Sequence, residues 1–258
     1  MKAKKEKIAI WTLVASLIVI SIGLSGCTGT DENTIVIGTS ADFAPFEYID
    51  ENTGNIVGFD IDMVKSILQD AGYKVEVKDI SFDSLIPSVQ GGKIDVIAAA
   101  MTITESRAEQ IDFTDPYYEA DQSILVESDT ELNLNSAQDL QNFTVGAQTG
   151  TTGAQWVQTT LIDNGTMNTN DFKKYETYTL AVLDLSNGNI DAVVLDKPVA
   201  QAYESNKNVN IEMTIITGES YGLGVKKGNS DLLQTLNEGL DTLIGSEEWI
   251  ALVQKYFE

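Results

Sequence analysis

Apolar residues in this chain recur with two periods that alternate along the sequence. Residues 34–39 form a short β-branched run and residues 94–100 a continuous apolar run, both typical of buried strands. Between them, apolar positions in residues 61–71 follow helical spacing until Gly72, and residues 73–79 alternate as a strand does. Strands that alternate with helices predict parallel sheet covered by helices.

The same order of elements begins again further along the chain. Residues 143–147 resemble the first strand and precede a predicted helix at 152–164, while residues 187–194 (NGNIDAVV) echo residues 91–97 (GGKIDVI). The final stretch, 232–256, has the spacing of an amphipathic helix. We therefore predict an α/β fold built from two units of ordinary domain size. Periodicity alone fits both two units facing each other across a cleft and two independent modules.

The first 26 residues have the composition of an export signal. Four lysines stand among the first seven residues, residues 8–24 carry no charge, and small residues precede Cys27. A small-residue pair before cysteine resembles the lipobox of secreted lipoproteins, which implies a signal peptide at 1–26, lipidation of Cys27 and a tether at 27–33. The alternative is an uncleaved signal anchor, because 8–24 is near the lower length limit of a membrane span. In both cases we expect the rest of the chain outside the cell, on the outer face of the cytoplasmic membrane or its periplasmic side.

The charge and the missing residue types exclude several functions. With 16 basic and 39 acidic residues and a net charge of −23, the chain does not suit binding to nucleic acid or to anionic lipid, so a lipid anchor is the better membrane attachment. The sequence has no histidine, and Cys27 is its only cysteine. Zinc sites of His and Cys, a histidine base and a thiol nucleophile in the folded part are therefore excluded. We expect no enzyme, no cofactor and no metal.

Eight segments, in order over the whole exported part, carry a family resemblance. They resemble solute-binding proteins of polar amino-acid ABC transporters (solute-binding protein family 3), which have the type II periplasmic-binding fold. The segments are 39–48 (TSADFAPFEY), 58–62 (GFDID), 82–87 (FDSLIP), 94–107 (IDVIAAAMTITESR), 111–118 (IDFTDPYY), 145–152 (VGAQTGTT), 191–196 (DAVVLD) and 221–225 (YGLGV).

This resemblance implies two lobes, a hinge and an interlobe ligand cleft. Lobe 1 would comprise 34–116 and 222–258, lobe 2 would comprise 122–217, and the hinge would lie at 117–121 and 218–221. The implied motion is closure around the ligand. The implied partners are a free L-amino acid, an ABC permease and its ATPase, with the protein a monomer.

For the carboxylate of an amino acid, the resemblance assigns residues around Arg107. Arg107 is the only arginine, and a guanidinium can hold both carboxylate oxygens where an ammonium cannot. Alone it would equally suit a helix surface. Residues 102–105 (TITE) fit a capping box, which predicts a helix start at Thr102, and a helix start is a ready anion site. The resemblance adds Thr102 and the Ala100 backbone for the carboxylate and ammonium, and the Thr152 N–H for the carboxylate.

Asp196 would bind the ammonium, and two aromatic residues would enclose the ligand side chain. Asp196 ends a predicted strand, where strands deliver residues to a cleft. It also suits a helix cap before Lys197 and Pro198. The resemblance places Phe43 and Phe82 on the two sides of the ligand side chain, although core packing is the commoner role of phenylalanine.

The chain departs from the family pattern where the ligand side chain should end. Relatives that select lysine, ornithine, histidine or glutamine carry aspartate at the position of Ser40, and here the acid is two residues later, at Asp42. Asp42, with Glu47 nearby and the aromatics, suits an arginine or lysine side chain. Ser40 and Gln148 equally suit a neutral amide such as that of glutamine. We favour a cationic amino acid.

Two other functions stay open from the sequence alone. Some relatives of this fold are cyclohexadienyl dehydratases acting on prephenate or arogenate, and Asp42 or Glu47 would then be the general acid. A sensory binding protein, read by a receptor instead of a permease, would have the same sequence features.

Overall fold

The computed structural model describes residues 33–258, so the predicted signal peptide, Cys27 and nearly all of the tether lie outside the described residues. No helix within 33–258 is long and apolar enough to cross a membrane. The described chain folds around two five-stranded sheets, which define the two lobes of a type II periplasmic-binding fold.

The first sheet has the strand order β5-β1-β6-β13-β7. Its strands are β1 (Thr34–Thr39), β5 (Lys74–Asp79), β6 (Val96–Ile97), β7 (Ile111–Phe113) and β13 (Gly224–Lys226). The predicted strands near 34, 73 and 94 are confirmed, and β1 pairs in parallel with β5 and β6. The predicted parallel pairing is confirmed for these three strands, and the sheet also contains antiparallel pairs, because β13 returns late in the chain and pairs antiparallel with β6 and β7.

Helices α1 (Phe59–Asp70), α2 (Leu85–Gln90), α7 (Ser230–Leu243) and α8 (Glu247–Phe257) belong to the first lobe. Helix α1 confirms the predicted helix, and it ends before Gly72, whose φ of 87° suits glycine. The single predicted C-terminal helix is two helices, which separate near Gly245 with φ 83°. Helix α7 approaches α1 closely at Gly239, where a Cβ would lie 2.2 Å from Ile67 Cγ2.

A small antiparallel sheet projects from the first lobe. It contains β2 (Asp42–Phe43), β3 (Glu47–Ile49) and β4 (Ile56–Val57), in the order β2-β3-β4. Asp42 pairs with Tyr48 and Phe43 with Glu47. This pairing places two acidic residues of the sequence, Asp42 and Glu47, on neighbouring strands.

The second sheet has the strand order β10-β9-β11-β8-β12. Its strands are β8 (Tyr118–Glu127), β9 (Val145–Gln148), β10 (Phe172–Tyr175), β11 (Ala192–Asp196) and β12 (Val209–Tyr221), and its helices are α4 (Thr152–Val157), α5 (Tyr178–Ser186) and α6 (Lys197–Asn206). Helix α4 continues as a wider π turn, Gln158–Ile162, so the predicted helix at 152–164 is present but irregular. Strand β9 ends at Gln148 and strand β11 ends at Asp196, and both residues were predicted to bind the ligand.

The chain passes between the two sheets at two adjacent points. Strands β8 and β12 pair as far as Tyr118 and Tyr221, and the Tyr117 N–H donates to the Tyr221 carbonyl at 3.0 Å. On the other side, Tyr221 forms an isolated bridge with Thr102. This double crossing is where the hinge was predicted. The lobe and hinge boundaries given above remain predictions.

Candidate functional site

One cavity between the two sheets gathers every binding residue predicted from the sequence. It encloses about 10 Å³, room for roughly one water molecule. Glu47 and Thr151 complete its lining. The predicted residues that line it are Ser40, Asp42, Phe43, Phe82, Ala100, Thr102, Arg107, Gln148, Thr152 and Asp196.

Arg107 lies in the short helix α3 (Glu105–Ala108), which begins two residues later than predicted. The residue that caps this helix is Thr104, whose hydroxyl accepts the Arg107 N–H at 3.2 Å. The capping box at 102–105 was therefore wrong. The reason is that the chain stays extended beyond Thr102: the Ile103 N–H donates to the Ser220 carbonyl at 2.8 Å, and Thr104 has a φ of −128°, so the helix begins only after Thr104.

The Arg107 guanidinium spans the cleft. Nη1 donates to the Thr102 carbonyl at 2.7 Å, and Nη2 donates to the Gly150 carbonyl of the second lobe at 3.1 Å. The guanidinium carbon stands 5.4 Å from the centre of the Phe82 ring, a cation–π contact. Burial lowers the Arg107 pKa, and the negative charges of Asp196 and Glu219 oppose that shift. The arginine stays charged at neutral pH.

Asp196 ends strand β11 and lies 3% exposed. Its Oδ1 accepts from Gln122 Nε2 at 2.7 Å, and its Oδ2 accepts a very short hydrogen bond from the Tyr221 hydroxyl. Although Asp196 precedes helix α6, its side chain makes no capping bond. Burial, followed by the charge of Glu219, raises the Asp196 pKa to about 6. Its carboxylate therefore faces the cleft in the ionised form at neutral pH.

Glu219 is a residue that sequence reasoning missed. Its Oε2 accepts from Thr102 Oγ1 at 2.8 Å and from Thr152 Oγ1 at 2.7 Å, one threonine from each lobe. It lies on β12 two residues before Tyr221, so the strand period of two places both side chains on one face. That alternation is the signal that could have found it. A second, more open pocket of about 450 Å³ lies against the same two threonines and Glu219.

Asp42 connects the small sheet with the second lobe. Its Oδ2 accepts the N–H of Tyr178, the first residue of α5, at 2.6 Å, and its Oδ1 accepts from Ser40 Oγ at 3.2 Å and Gln148 Nε2 at 3.4 Å. Burial is the largest cause of its raised pKa. Three polar residues expected at the end of a ligand side chain thus contact one another.

Glu47 lines the cavity and is 1% exposed, and neither of its carboxyl oxygens has a hydrogen-bond partner among the described residues. Burial, with the charge of Asp60, raises its pKa well above the usual value. Asp60 is partly satisfied: its Oδ2 accepts from the Ala100 N–H at 2.8 Å and the Tyr117 hydroxyl at 2.5 Å, whereas its Oδ1 has no partner among the described residues. Burial raises the Asp60 pKa to about 7.

The remaining predicted residues complete two walls of the cavity. The Phe43 ring lies 5.6 Å from the Tyr178 ring, across the cleft, and Phe82 contacts Arg107. Ala100 turns the chain away from β6 with φ 43°, a left-handed backbone that is rare for alanine. No cluster of three or more His, Cys, Asp or Glu side chains in residues 33–258 is arranged to hold a metal ion.

Residues 35–258 match the bacterial extracellular solute-binding proteins, family 3, and the chain belongs to that family. A probable histidine-binding protein of Neisseria gonorrhoeae is 31% identical over 260 residues, covering 95% of this chain and 94% of that protein. An ancestral arginine-binding protein bound to arginine has a TM-score of 0.81 and 42% identity, covering 88% of this chain and 99% of that one. An ancestral arginine-binding protein bound to glutamine has a TM-score of 0.80 and 42% identity, covering 87% and 98%.

Proposed function

We propose that this protein is the substrate-binding component of an ABC transporter, which captures a polar L-amino acid outside the cell and delivers it to a membrane permease. It performs no chemistry on the ligand. The observation that carries the proposal is that Arg107 and Asp196, one cation and one anion, line the same interlobe cavity. A zwitterion presents the complementary pair of charges, and each needs a partner once water is excluded.

In this proposal Arg107 binds the α-carboxylate and Asp196 the α-ammonium. The guanidinium offers parallel N–H donors, which match the two carboxylate oxygens. Thr102, the Ala100 backbone and the Thr152 N–H complete the contacts to the two charged groups. Phe43 and Phe82 lie on either side of the ligand side chain, and Ser40, Asp42 and Gln148 stand at its far end.

The ligand we favour is cationic. The cavity is lined by three acidic residues, Asp42, Glu47 and Asp196, against a single basic residue, Arg107. After the zwitterion ends are paired, two acids remain for the side chain of arginine or lysine. The named histidine and arginine binders among the relatives support this choice, and the glutamine complex is the reason to test a neutral amide beside it.

Closure of the lobes is the proposed mechanism. The cavity is far smaller than an amino acid, so a ligand enters only when the lobes separate. The contacts Arg107–Gly150 and Asp42–Tyr178 link residues on the two sides of the cleft. A ligand that adds further bonds between the lobes shifts the balance to the closed form. We assign lobe 1 to 34–116 and 222–258, lobe 2 to 122–217, and the hinge to 117–121 and 218–221.

The location follows from the same proposal. The signal at 1–26 directs export, and lipidated Cys27 anchors the monomer to the outer face of the cytoplasmic membrane or its periplasmic side. There the binding protein meets its permease, whose ATPase drives uptake. Mass spectrometry of the membrane fraction tests the anchor: a diacylglycerol mass on an N-terminal Cys27 supports it, and an intact N-terminus contradicts it.

One observation favours a second candidate. A buried acid in a cleft whose pKa is raised by burial, as at Glu47, suits a general acid for prephenate or arogenate dehydration. Formation of product absorbance on mixing with prephenate, and its loss in Glu47→Gln, would establish that activity. We expect no product.

Isothermal titration against the common L-amino acids tests the main proposal. We expect heat and a single site with at least one polar amino acid, and the tightest binding with arginine or lysine. Matched titrations of D-amino acids should give weaker binding, because the α-groups are held by fixed partners. Absence of binding by every amino acid would contradict the proposal.

A further inference from the structure

Each carboxyl oxygen of the buried Asp196 accepts a hydrogen bond from a neutral group. The Tyr221 hydroxyl donates to Oδ2, and Gln122 Nε2 donates to Oδ1 at 2.7 Å. The Arg107 guanidinium donates to two backbone carbonyls instead. Neutral donors stabilise an ionised carboxylate without cancelling its charge, so Asp196 can offer that charge to a ligand. Neither donor was predicted from the sequence as a site residue, and both act from behind Asp196 because neither lines the cavity.

Tyr221 connects Asp196 to the point where the chain crosses between the lobes. Its carbonyl accepts the Tyr117 N–H at 3.0 Å, and its backbone bridges to Thr102 in the first lobe. Its fully buried ring packs edge-on against Phe46, with ring centres 5.3 Å apart. The hydroxyl therefore reaches Asp196 from a fixed base. It thereby sets the spacing between Asp196 and Thr102, which the proposed function places around the α-groups of the ligand.

Gln122, on strand β8, holds the other oxygen of Asp196. Its Nε2 also lies 3.3 Å from Thr152 Oγ1 and 3.4 Å from Glu219 Oε2. Three oxygens on one side of the amide require the NH₂ group there, because only that end of the amide donates. A Cβ on Gly153 would lie 2.9 Å from Gln122 Oε1, so the absence of a side chain at Gly153 makes room for the amide in this orientation.

We propose that Tyr221 and Gln122 are positioning residues for the α-ammonium of the ligand, because they hold the Asp196 carboxylate in one orientation. This inference rests on the proposed function. With one lone pair of each oxygen occupied, the other remains for the N–H groups of the ammonium. A carboxylate that is already oriented loses less conformational freedom when the ligand binds, and this raises affinity.

The charged groups around Asp196 set the pH at which this acceptor is ionised. Burial raises its pKa to about 6 and the charge of Glu219, on β12, adds to the rise, whereas its two hydrogen-bond donors and the charge of Arg107, on α3, lower it. Glu47 on β3 and Tyr178 on α5 also face it, because the charge of Asp196 adds to the effect of burial in raising the pKa of each. Loss of either donor removes a bond that favours the ionised form, so Asp196 would take up its proton at higher pH.

The pH dependence of affinity tests this inference. Tyr221→Phe keeps the buried ring and removes the hydroxyl, and calorimetry with L-arginine and L-glutamine measures affinity between pH 5 and 7.5. We expect the acid limb of the affinity profile to move up by about one pH unit, so the wild type binds about tenfold more tightly than Tyr221→Phe at pH 5. The ratio should fall several-fold by pH 7.5, where Asp196 is largely ionised in both proteins. The shift should be the same with each ligand that binds, because both ligands have the same α-ammonium.

Tyr118→Phe is the matched control. It removes a hydroxyl from a ring that stacks on Tyr221, with ring centres 5.7 Å apart, and it should keep the acid limb of the wild type. Gln122→Met removes the donor to the other Asp196 oxygen and should move the limb in the same direction as Tyr221→Phe. The inference therefore remains testable if Tyr221→Phe does not fold.

An affinity loss in Tyr221→Phe that is equal at pH 5 and pH 7.5 would overturn the inference, because structural damage alone gives that result. An equal shift of the acid limb in Tyr118→Phe would overturn it too. Failure of every L-amino acid to bind the wild type would overturn the proposed function as well. Normal binding with an unmoved acid limb in Tyr221→Phe and Gln122→Met would overturn this inference alone.

Discussion

The Asp42 carboxylate accepts the backbone N–H of Tyr178 at 2.6 Å, across the cleft between the small sheet and the second lobe. Tyr178 is the first residue of helix α5, so the carboxylate meets the positive end of the helix dipole. This single hydrogen bond joins residues that are 136 positions apart in sequence and links the small sheet to the second lobe. Its strength bears directly on how easily the cleft opens.

We expect Asp42→Ala to favour the open form. Loss of a hydrogen bond to a charged group costs about 1.5–3 kcal/mol, which falls on the closed state because only there does Tyr178 meet residue 42. Small-angle scattering of the ligand-free variant should give a larger radius of gyration than the wild type. Asp50→Ala, at an exposed turn of the first lobe, is the control and should leave the radius unchanged. Equal radii for Asp42→Ala and the wild type would contradict the role given to this contact.

Arg107→Ala should cost at least about 2 kcal/mol of ligand binding, because it removes a charge-assisted pair with the α-carboxylate. Arg107→Lys should recover only part of this loss, since an ammonium cannot hold both oxygens. Calorimetry measures both. Lys93→Ala removes an exposed positive charge of the first lobe and should bind as the wild type does. Wild-type affinity in Arg107→Ala would remove Arg107 from the site.

Glu219 should act on the ligand through the two threonines. Because Thr102 and Thr152 both donate their hydroxyl hydrogens to Glu219, their remaining lone pairs can only accept from a ligand. Glu219→Gln removes this fixed polarity and one negative charge near Asp196. We expect affinity for the amino acid to fall by about tenfold, the effect of roughly one hydrogen bond.

The pH profile separates that role from a merely structural one. Glu219 raises the Asp196 pKa, so in Glu219→Gln the acid limb of the affinity profile should move to lower pH. Glu212→Gln, on the same strand but away from the cavity, is the control. A loss of affinity with an unmoved acid limb would show that Glu219 only supports the fold.

Asp60 makes the stability of the empty protein fall as pH rises. Its pKa is raised from 3.8 to about 7 by burial, so the folded form binds this proton more strongly than the unfolded form. That stabilisation is fully present below about pH 4 and is lost as pH rises towards 7. Thermal unfolding of ligand-free protein between pH 5 and 8 should show a falling Tm, with a shallower fall in Asp60→Asn. An identical slope in the variant would contradict the shifted pKa of Asp60.

Much of the fold was predictable because its strands and helices have distinct apolar periods. The strand at 34–39, the helix before Gly72 and the apolar run that ends in Asp196 all appear in the structure. The local sequence pattern gave wrong predictions where tertiary contacts determine the backbone conformation. Thr102 has the spacing of a helix cap, but the Ile103 N–H bonds to the Ser220 carbonyl and the chain stays extended as far as Thr104. Strand β13 pairs antiparallel with β6 after the chain has returned from the second lobe.

The residues of the site were predicted from the family resemblance. The resemblance indicated which residues lie together in the fold although they are far apart in the sequence. Composition could single out Arg107 as the only arginine, but it could not place Gly150 beside it. Glu219 escaped notice because its two threonine partners lie 117 and 67 residues away. The unpartnered state of Glu47 is likewise a property of packing, and no local pattern encodes it.

A crystal structure of the protein with its tightest-binding amino acid tests the central claim most directly. We predict that the α-carboxylate lies within about 3 Å of the Arg107 guanidinium nitrogens and the α-ammonium within about 3 Å of the Asp196 carboxylate, the usual lengths of such hydrogen bonds. A ligand bound with its charged ends away from both residues, or bound outside this cavity, would contradict the account.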